Sequence, residues 1–160
     1  MTLTLKPIGT IHSPYSEREG MPIQPGGAGD VRGTVVVDPE FAEGLNDLDG
    51  FSHVILLYQF HRSEGYSLTV TPFMDTENRG LFATRAPRRP NPIGLSIVRL
   101  VAVQNNTLHI MGVDVLDGTP LLDIKPYAPA FDQPAGEIRS GWLEKKEGGV
   151  AGKRADGRFV

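Results

Sequence analysis

The sequence predicts an all-β fold: a small closed or nearly closed β-barrel with one short helix and long loops. Short runs of β-branched and aromatic residues recur at close spacing along the chain. The chain carries 19 glycines and 13 prolines, enough to punctuate many turns. Helix-start signals occur at one place, and strands do not alternate with helical stretches as a parallel α/β sheet requires.

Residues 3–11 alternate Leu3 and Leu5, then Ile8 and Ile11, and read as a strand broken near Pro7. Residues 12–33 are rich in Pro, Gly and charge, and a loop of that length in a compact domain is either functional or disordered. Residues 34–37 form a β-branched strand. Asp38-Pro39-Glu40 then offers an N-cap acid, a proline at the first helical position and an acid in the first turn, predicting a short helix that ends near Gly44. Residues 45–50 read as a turn. Residues 52–61 are the strongest strand, apolar on both faces through Val54, Ile55, Leu56 and Leu57, which places it centrally. Residues 66–72 and 81–84 are shorter strands. Residues 94–104 and 107–115 form a hairpin about Asn105-Asn106, a pair that suits a two-residue type I′ turn because Asn tolerates positive φ. Residues 121–124 make the last strand. About seven or eight short strands with one helix argue a barrel or sandwich. One domain is expected over residues 1–147, with residues 148–160 a tail that is mobile or docked.

With 160 residues the chain sustains one domain with a real core. It has no cysteine, which excludes disulfides, thiolate metal sites and a Cys nucleophile, and suits a reducing, cytoplasmic setting. The longest apolar stretch, residues 54–58, falls far short of the roughly 20 residues of a membrane helix, so no membrane partner is expected. Residues 1–11 lack a charged start followed by an apolar block, and no secretory signal is expected. Net charge is −3, so any RNA contact has to come from a local basic patch. His12, His53, His61 and His109 lack metal-ligand spacing, and no metal is expected. His53 and His61, on one strand, would stand roughly 26 Å apart. No G-x-S-x-G elbow occurs, and Gly26-Gly27-Ala28-Gly29 leads into a strand rather than a helix, which removes the P-loop and Rossmann readings.

A two-residue turn fixes register. Gln104 faces Thr107, Val103 faces Leu108 and, carried outward, Ile97 faces Asp114 and Gly94 faces Asp117. A bulge would shift this by one and leave the two segments neighbours. The stiff stretch Thr84-Arg85-Ala86-Pro87-Arg88-Arg89-Pro90-Asn91-Pro92-Ile93-Gly94 therefore meets the segment around Asp117-Gly118-Thr119-Pro120. Three arginines near Asp114, Asp117 and Asp123 suit a zwitterionic ligand, and they equally suit plain structural ion pairs.

Several strings are similar to the landmarks of the TsaA-like family. They include Ser13-Pro14-Tyr15, Pro22-Ile23-Gln24-Pro25-Gly26, Leu48-Asp49-Gly50-Phe51-Ser52-His53, Phe60-His61 and Phe82-Ala83-Thr84-Arg85. The most specific are Arg89-Pro90-Asn91-Pro92-Ile93-Gly94-Leu95-Ser96 and Asp117-Gly118-Thr119-Pro120 through Asp123-Ile124-Lys125-Pro126-Tyr127. The resemblance implies a dimeric β-barrel that binds S-adenosylmethionine and methylates N6 of a threonylcarbamoyl-type adenosine in tRNA. Carried over by position, it implies cofactor contacts at Pro22, Ile23, Gln24, Phe60, His61, Arg62, Arg85, Leu95, Asp114, Val115, Leu116 and Asp117. Where the family reads Pro-Arg-Gln, this chain has Ile23 in place of the cation.

In-line methyl transfer requires alignment and exclusion of water rather than a covalent enzyme intermediate. On that reading Arg85 neutralises the cofactor carboxylate, and the backbone of residues 114–117 holds its ammonium or adenine. His61 is the candidate to orient substrate or accept a proton, with a packed strand-end histidine as the alternative. Arg88, Arg89, Asn91 and Lys125 are the RNA candidates, Arg88 and Arg89 alternatively bracing their loop. A non-catalytic S-adenosylmethionine-binding sensor or adaptor is the competing class, favoured by the acidic balance and by Ile23.

Overall fold

The computed structural model describes residues 1–17, 19, 21, 29–73 and 75–144. Pro22, Ile23, Gln24 and the tail at 148–160 lie outside the described residues.

Six strands close an antiparallel barrel. In chain order they are β1 (Gly9–His12), β2 (Arg32–Val37), β3 (His53–Gln59), β6 (Ile93–Gln104), β7 (Thr107–Met111) and β8 (Thr119–Pro126), and around the barrel they run β1-β2-β7-β6-β3-β8. Two short strands, β4 (Thr69–Val70) and β5 (Arg79–Gly80), pair as a separate ribbon. Closure leaves no free sheet edge, which stabilises a barrel built from such short strands.

Alternation sorts side chains between lumen and exterior. Along β6, Gly94, Ser96, Val98 and Leu100 point inward, while Ile93, Leu95, Ile97, Arg99 and Val101 point outward. Ile11, Val35, Val54, Leu56, Leu108, Ile110 and Leu121 fill the lumen with them. β3 pairs with both β6 and β8, as its two apolar faces predict.

The hairpin register is as expected at the turn, with Gln104 opposite Thr107 and Val103 opposite Leu108. It slips by one beyond Ala102, where Val101 is left without a partner and Leu100 faces Ile110. The turn is not type I′. Asn105 has φ 56°, but Asn106 is not in the left-handed region. Instead, the Asn106 side-chain amide donates to the Val37 carbonyl at 2.7 Å, and its own carbonyl accepts from the Val37 N–H at 2.8 Å.

Three other expectations are corrected. The first strand starts at Gly9, not at residue 3: Leu3 and Leu5 are exposed, and Pro7 has no N–H to give a ladder. Residues 39–45 wind as a 3₁₀ helix, and the Asp38 side chain does not cap it; among the described residues the one α-helical turn is α1 (Pro129–Asp132). Residues 81–83 are a 3₁₀ turn, not a strand, because the Thr84 N–H and hydroxyl both fold back to the Leu81 carbonyl, at 3.0 and 2.7 Å.

Candidate functional site

The end of β3 and the start of β6 build one rim of the barrel. Tyr58 stands opposite Gly94, and its ring lies over the Gly94 backbone. A Cβ at Gly94 would approach the Tyr58 ring to 2.3 Å and the Phe60 ring to 2.8 Å, so only glycine fits. Phe60 meets Tyr58 edge to face, with centroids 5.5 Å apart.

From this rim a chain of hydrogen bonds runs from β3 to β6 and on to the segment after β7. The Tyr58 hydroxyl lies 2.8 Å from Ser96 Oγ, and Ser96 Oγ donates to Asp114 Oδ1 at 2.6 Å. Tyr58 and Ser96 are buried, while Asp114 is half-buried. Asp114 opens onto a cleft of about 230 Å³ that it shares with Tyr58, Thr84, Arg85, Arg89, Ile93, Gly94 and Leu95. Loss of solvent raises the Asp114 carboxyl to about 7, against the pull of the Ser96 hydrogen bond, its own backbone and the Arg85 charge. Burial, then the Asp114 charge, pushes the Tyr58 phenol well above its ordinary range.

Of the residues expected at the site, the fold brings Arg85, Leu95 and Asp114 to one cleft, with Phe60 behind Tyr58. Val115, Leu116 and Asp117 turn instead toward the segment after β1. Ser13 Oγ donates to the Val115 carbonyl at 2.5 Å, Leu116 is buried, and the Asp117 N–H donates to the Tyr15 carbonyl at 2.8 Å. Asp117 accepts from the His12 ring at 3.0 Å and the Ser13 N–H at 3.2 Å, and the His12 bond is the main reason its carboxyl sits below the usual range. Arg62 donates to the Ser16 carbonyl at 2.7 Å, tying down the same segment. His61 is half-buried and stands outside the residues that line the cleft.

The expected meeting of three aspartates with three arginines is therefore corrected to Asp114 with Arg85 and Arg89. Asp123 forms an ion pair with Lys125 at 2.9 Å and lines a separate hollow with Phe51 and Asp47. Arg88 faces another hollow, beside Glu64 and Tyr66, with its Nε buried and without a hydrogen-bond partner among the described residues. Arg89 braces the loop: its Nη1 donates to the carbonyls of Thr84 and Ala86 at 2.9 and 3.2 Å. Asn91 is exposed, and its backbone carbonyl accepts from the Ile93 N–H at 2.7 Å.

Tyr58 and Ser96 were not among the expected site residues. Their signal is available in the sequence: each is a hydroxyl at an inward position of an otherwise apolar strand. Among the described residues, no group of three His, Asp or Glu side chains is placed to hold a metal, and no helix is long and apolar enough to cross a membrane.

Residues 10–133 match the family model of the tRNA-methyltransferase O N-terminal domain. The chain belongs to that family. It is 55% identical over 99% of its length to a "Probable S-adenosyl-L-methionine-binding protein" of Pyrococcus abyssi, covering 86% of that protein. It is 37% identical over 82% of its length to the tRNA (adenine(37)-N6)-methyltransferase of Mus musculus, of which it spans 32%. The crystal structure of TrmO from Pseudomonas aeruginosa superimposes with a TM-score of 0.75 at 44% identity, over 88% of this chain and 62% of the other. The TrmO-type barrel is thus shared with larger proteins, of which this chain spans a part.

Proposed function

We propose that this chain is an S-adenosylmethionine-dependent methyltransferase that acts on N6 of a threonylcarbamoyl-type adenosine in tRNA. The observation that carries the reading is the juxtaposition of Arg85 and Asp114 in one cleft with apolar walls from Ile93 and Leu95. A guanidinium and a carboxylate facing one space suit the carboxylate and ammonium of an amino acid. When bound, S-adenosylmethionine supplies a methyl group already activated on a sulfonium. Arg85 neutralises the carboxylate of the amino-acid end, and Asp114, ionised, takes its ammonium. Leu95, Ile93 and the Phe60–Tyr58 pair keep water from the apolar part. Beyond this cleft, the family resemblance alone implies contacts at His61, Arg62, residues 115–117 and Pro22, Ile23 and Gln24, which would meet another part of the cofactor.

The protein works in the cytoplasm and as a homodimer. The outward residues Ile93, Leu95, Ile97 and Val101 of β6 are between 38% and 46% exposed and form an apolar stripe suited to a second copy. Sedimentation analysis checks the dimer.

Incubating the chain with labelled S-adenosylmethionine and tRNA carrying the threonylcarbamoyl modification tests the activity. Label is expected in that nucleoside on digestion and mass spectrometry. Tight cofactor binding with no transfer would favour the second reading, a non-catalytic binding module, which the naming of the Pyrococcus relative supports.

A further inference from the structure

We propose that the exposed ring of Phe82, backed by Arg89, is the stacking platform for an unpaired base of the RNA. This rests on the reading of the neighbouring cleft as a tRNA-methylating site and names how the RNA is held beside it.

Phe82 is 74% exposed, yet its backbone belongs to the 3₁₀ turn at Leu81–Ala83. That turn is pinned from two sides. Leu81 is buried with Ala86 against Val70 and Phe73, and the Trp142 indole N–H donates to the Ala83 carbonyl at 2.8 Å. A large ring fixed at its base and left in water offers a flat apolar face with little backbone freedom to lose on binding.

Arg89 links this ring to the cleft. Its guanidinium lies 5.8 Å from the Phe82 centroid, and the same side chain lines the cleft with Arg85 and Asp114. Its bonds to the Thr84 and Ala86 carbonyls fix it in that position. A base stacked on Phe82 therefore lies one guanidinium away from the cofactor end seated in the cleft. Unpaired loop bases are recognised largely by stacking on aromatic and guanidinium planes. The chain is acidic overall, but Arg85 and Arg89 place positive charge here, while Asp75 and Glu77 are both paired with Arg79. That local field suits phosphate.

The test uses a fluorescent anticodon stem–loop RNA followed by anisotropy, with S-adenosylmethionine calorimetry on the same variants. Phe82→Ala is expected to weaken RNA binding about tenfold, within the range for loss of one stacked base. Its salt dependence and cofactor affinity should stay those of the native chain, and Phe82→Trp should restore RNA binding. Equal RNA affinity in Phe82→Ala overturns the proposal, as does a variant that changes oligomeric state rather than RNA affinity, which would make Phe82 a protein contact. If the native chain binds cofactor but no RNA, the tRNA reading falls and takes this proposal with it. Native binding with an indifferent Phe82→Ala removes the proposal alone.

Discussion

The Ser96 hydroxyl donates a 2.6 Å hydrogen bond to Oδ1 of Asp114, reaching from a barrel strand to a segment that has already left the sheet. Serine has one hydroxyl proton. Giving it to the carboxylate obliges Tyr58 to donate in the 2.8 Å contact with Ser96 Oγ. The ionised carboxylate thus orients both hydroxyls, and they in turn fix the carboxylate facing Arg85 and Arg89 in the cleft.

Stability should depend on pH through Asp114. Its carboxyl is raised to about 7 in the folded chain, so the fold holds this proton more tightly than the unfolded chain does. The contribution is complete below about pH 4 and is lost as pH rises toward 7, amounting to about 2–4 kcal/mol. Urea unfolding of the native chain and Asp114→Asn between pH 4 and 8 checks this. The native curve should fall relative to the variant's, and parallel curves would show that Asp114 does not titrate in this range. Asp117, whose carboxyl is lowered chiefly by His12, works in the opposite direction at lower pH and cancels in the comparison.

Cofactor affinity should rise with pH over the same interval. An ammonium group is attracted to the ionised carboxylate, and a carboxyl titrating near 7 gains about tenfold in ionised fraction from pH 6 to 8. Calorimetry across that range is expected to follow it, and Asp114→Asn should bind weakly with a flat profile. Arg85, Arg89 and Tyr58 also face this carboxylate from the cleft, and the Tyr58 phenol, pushed well above its ordinary range, stays protonated between pH 6 and 8.

Gly94→Ala should be costly. The added methyl would meet the Tyr58 ring at 2.3 Å and the Phe60 ring at 2.8 Å, and both rings are packed against each other. Overpacking of this kind costs about 1–3 kcal/mol. Thermal unfolding should show a lowered midpoint, and cofactor affinity should fall as Tyr58 is displaced from Ser96.

Arg85→Ala should lose about 2–5 kcal/mol of S-adenosylmethionine binding by calorimetry, the scale of a desolvated charged contact. Arg85→Lys should recover part of it, because an ammonium keeps the charge but lacks the fork. Unchanged affinity in Arg85→Ala would remove this residue from the site.

The sequence carried the barrel and, of the two unusual segments expected to meet, the approach of Asp114 to Arg85 and Arg89. The β6–β7 register follows from Gln104 opposite Thr107, and the slip at Val101 leaves Ser96 bonded to Asp114 as neighbours across the hairpin. What it did not carry was direction. Asp114, Asp117 and Asp123 are close in sequence but point to the cleft, to His12 and to Lys125 respectively. Side chains alternate regularly between two faces only while the chain is a strand, and residues 112–118 are not. The turn at Leu81–Ala83 also escaped, since its apolar pattern resembles a strand until the Thr84 hydroxyl bonds back to Leu81. Tyr58 and Ser96 were hidden by the apolar run around them, although an inward hydroxyl needs a partner.

The most direct measurement is a crystal structure of the chain with S-adenosylmethionine bound. The amino-acid end is expected in the cleft, its carboxylate on Arg85 and its ammonium on Asp114. A cofactor found elsewhere on the barrel, or seated there with Arg85 and Asp114 both turned away, would contradict it.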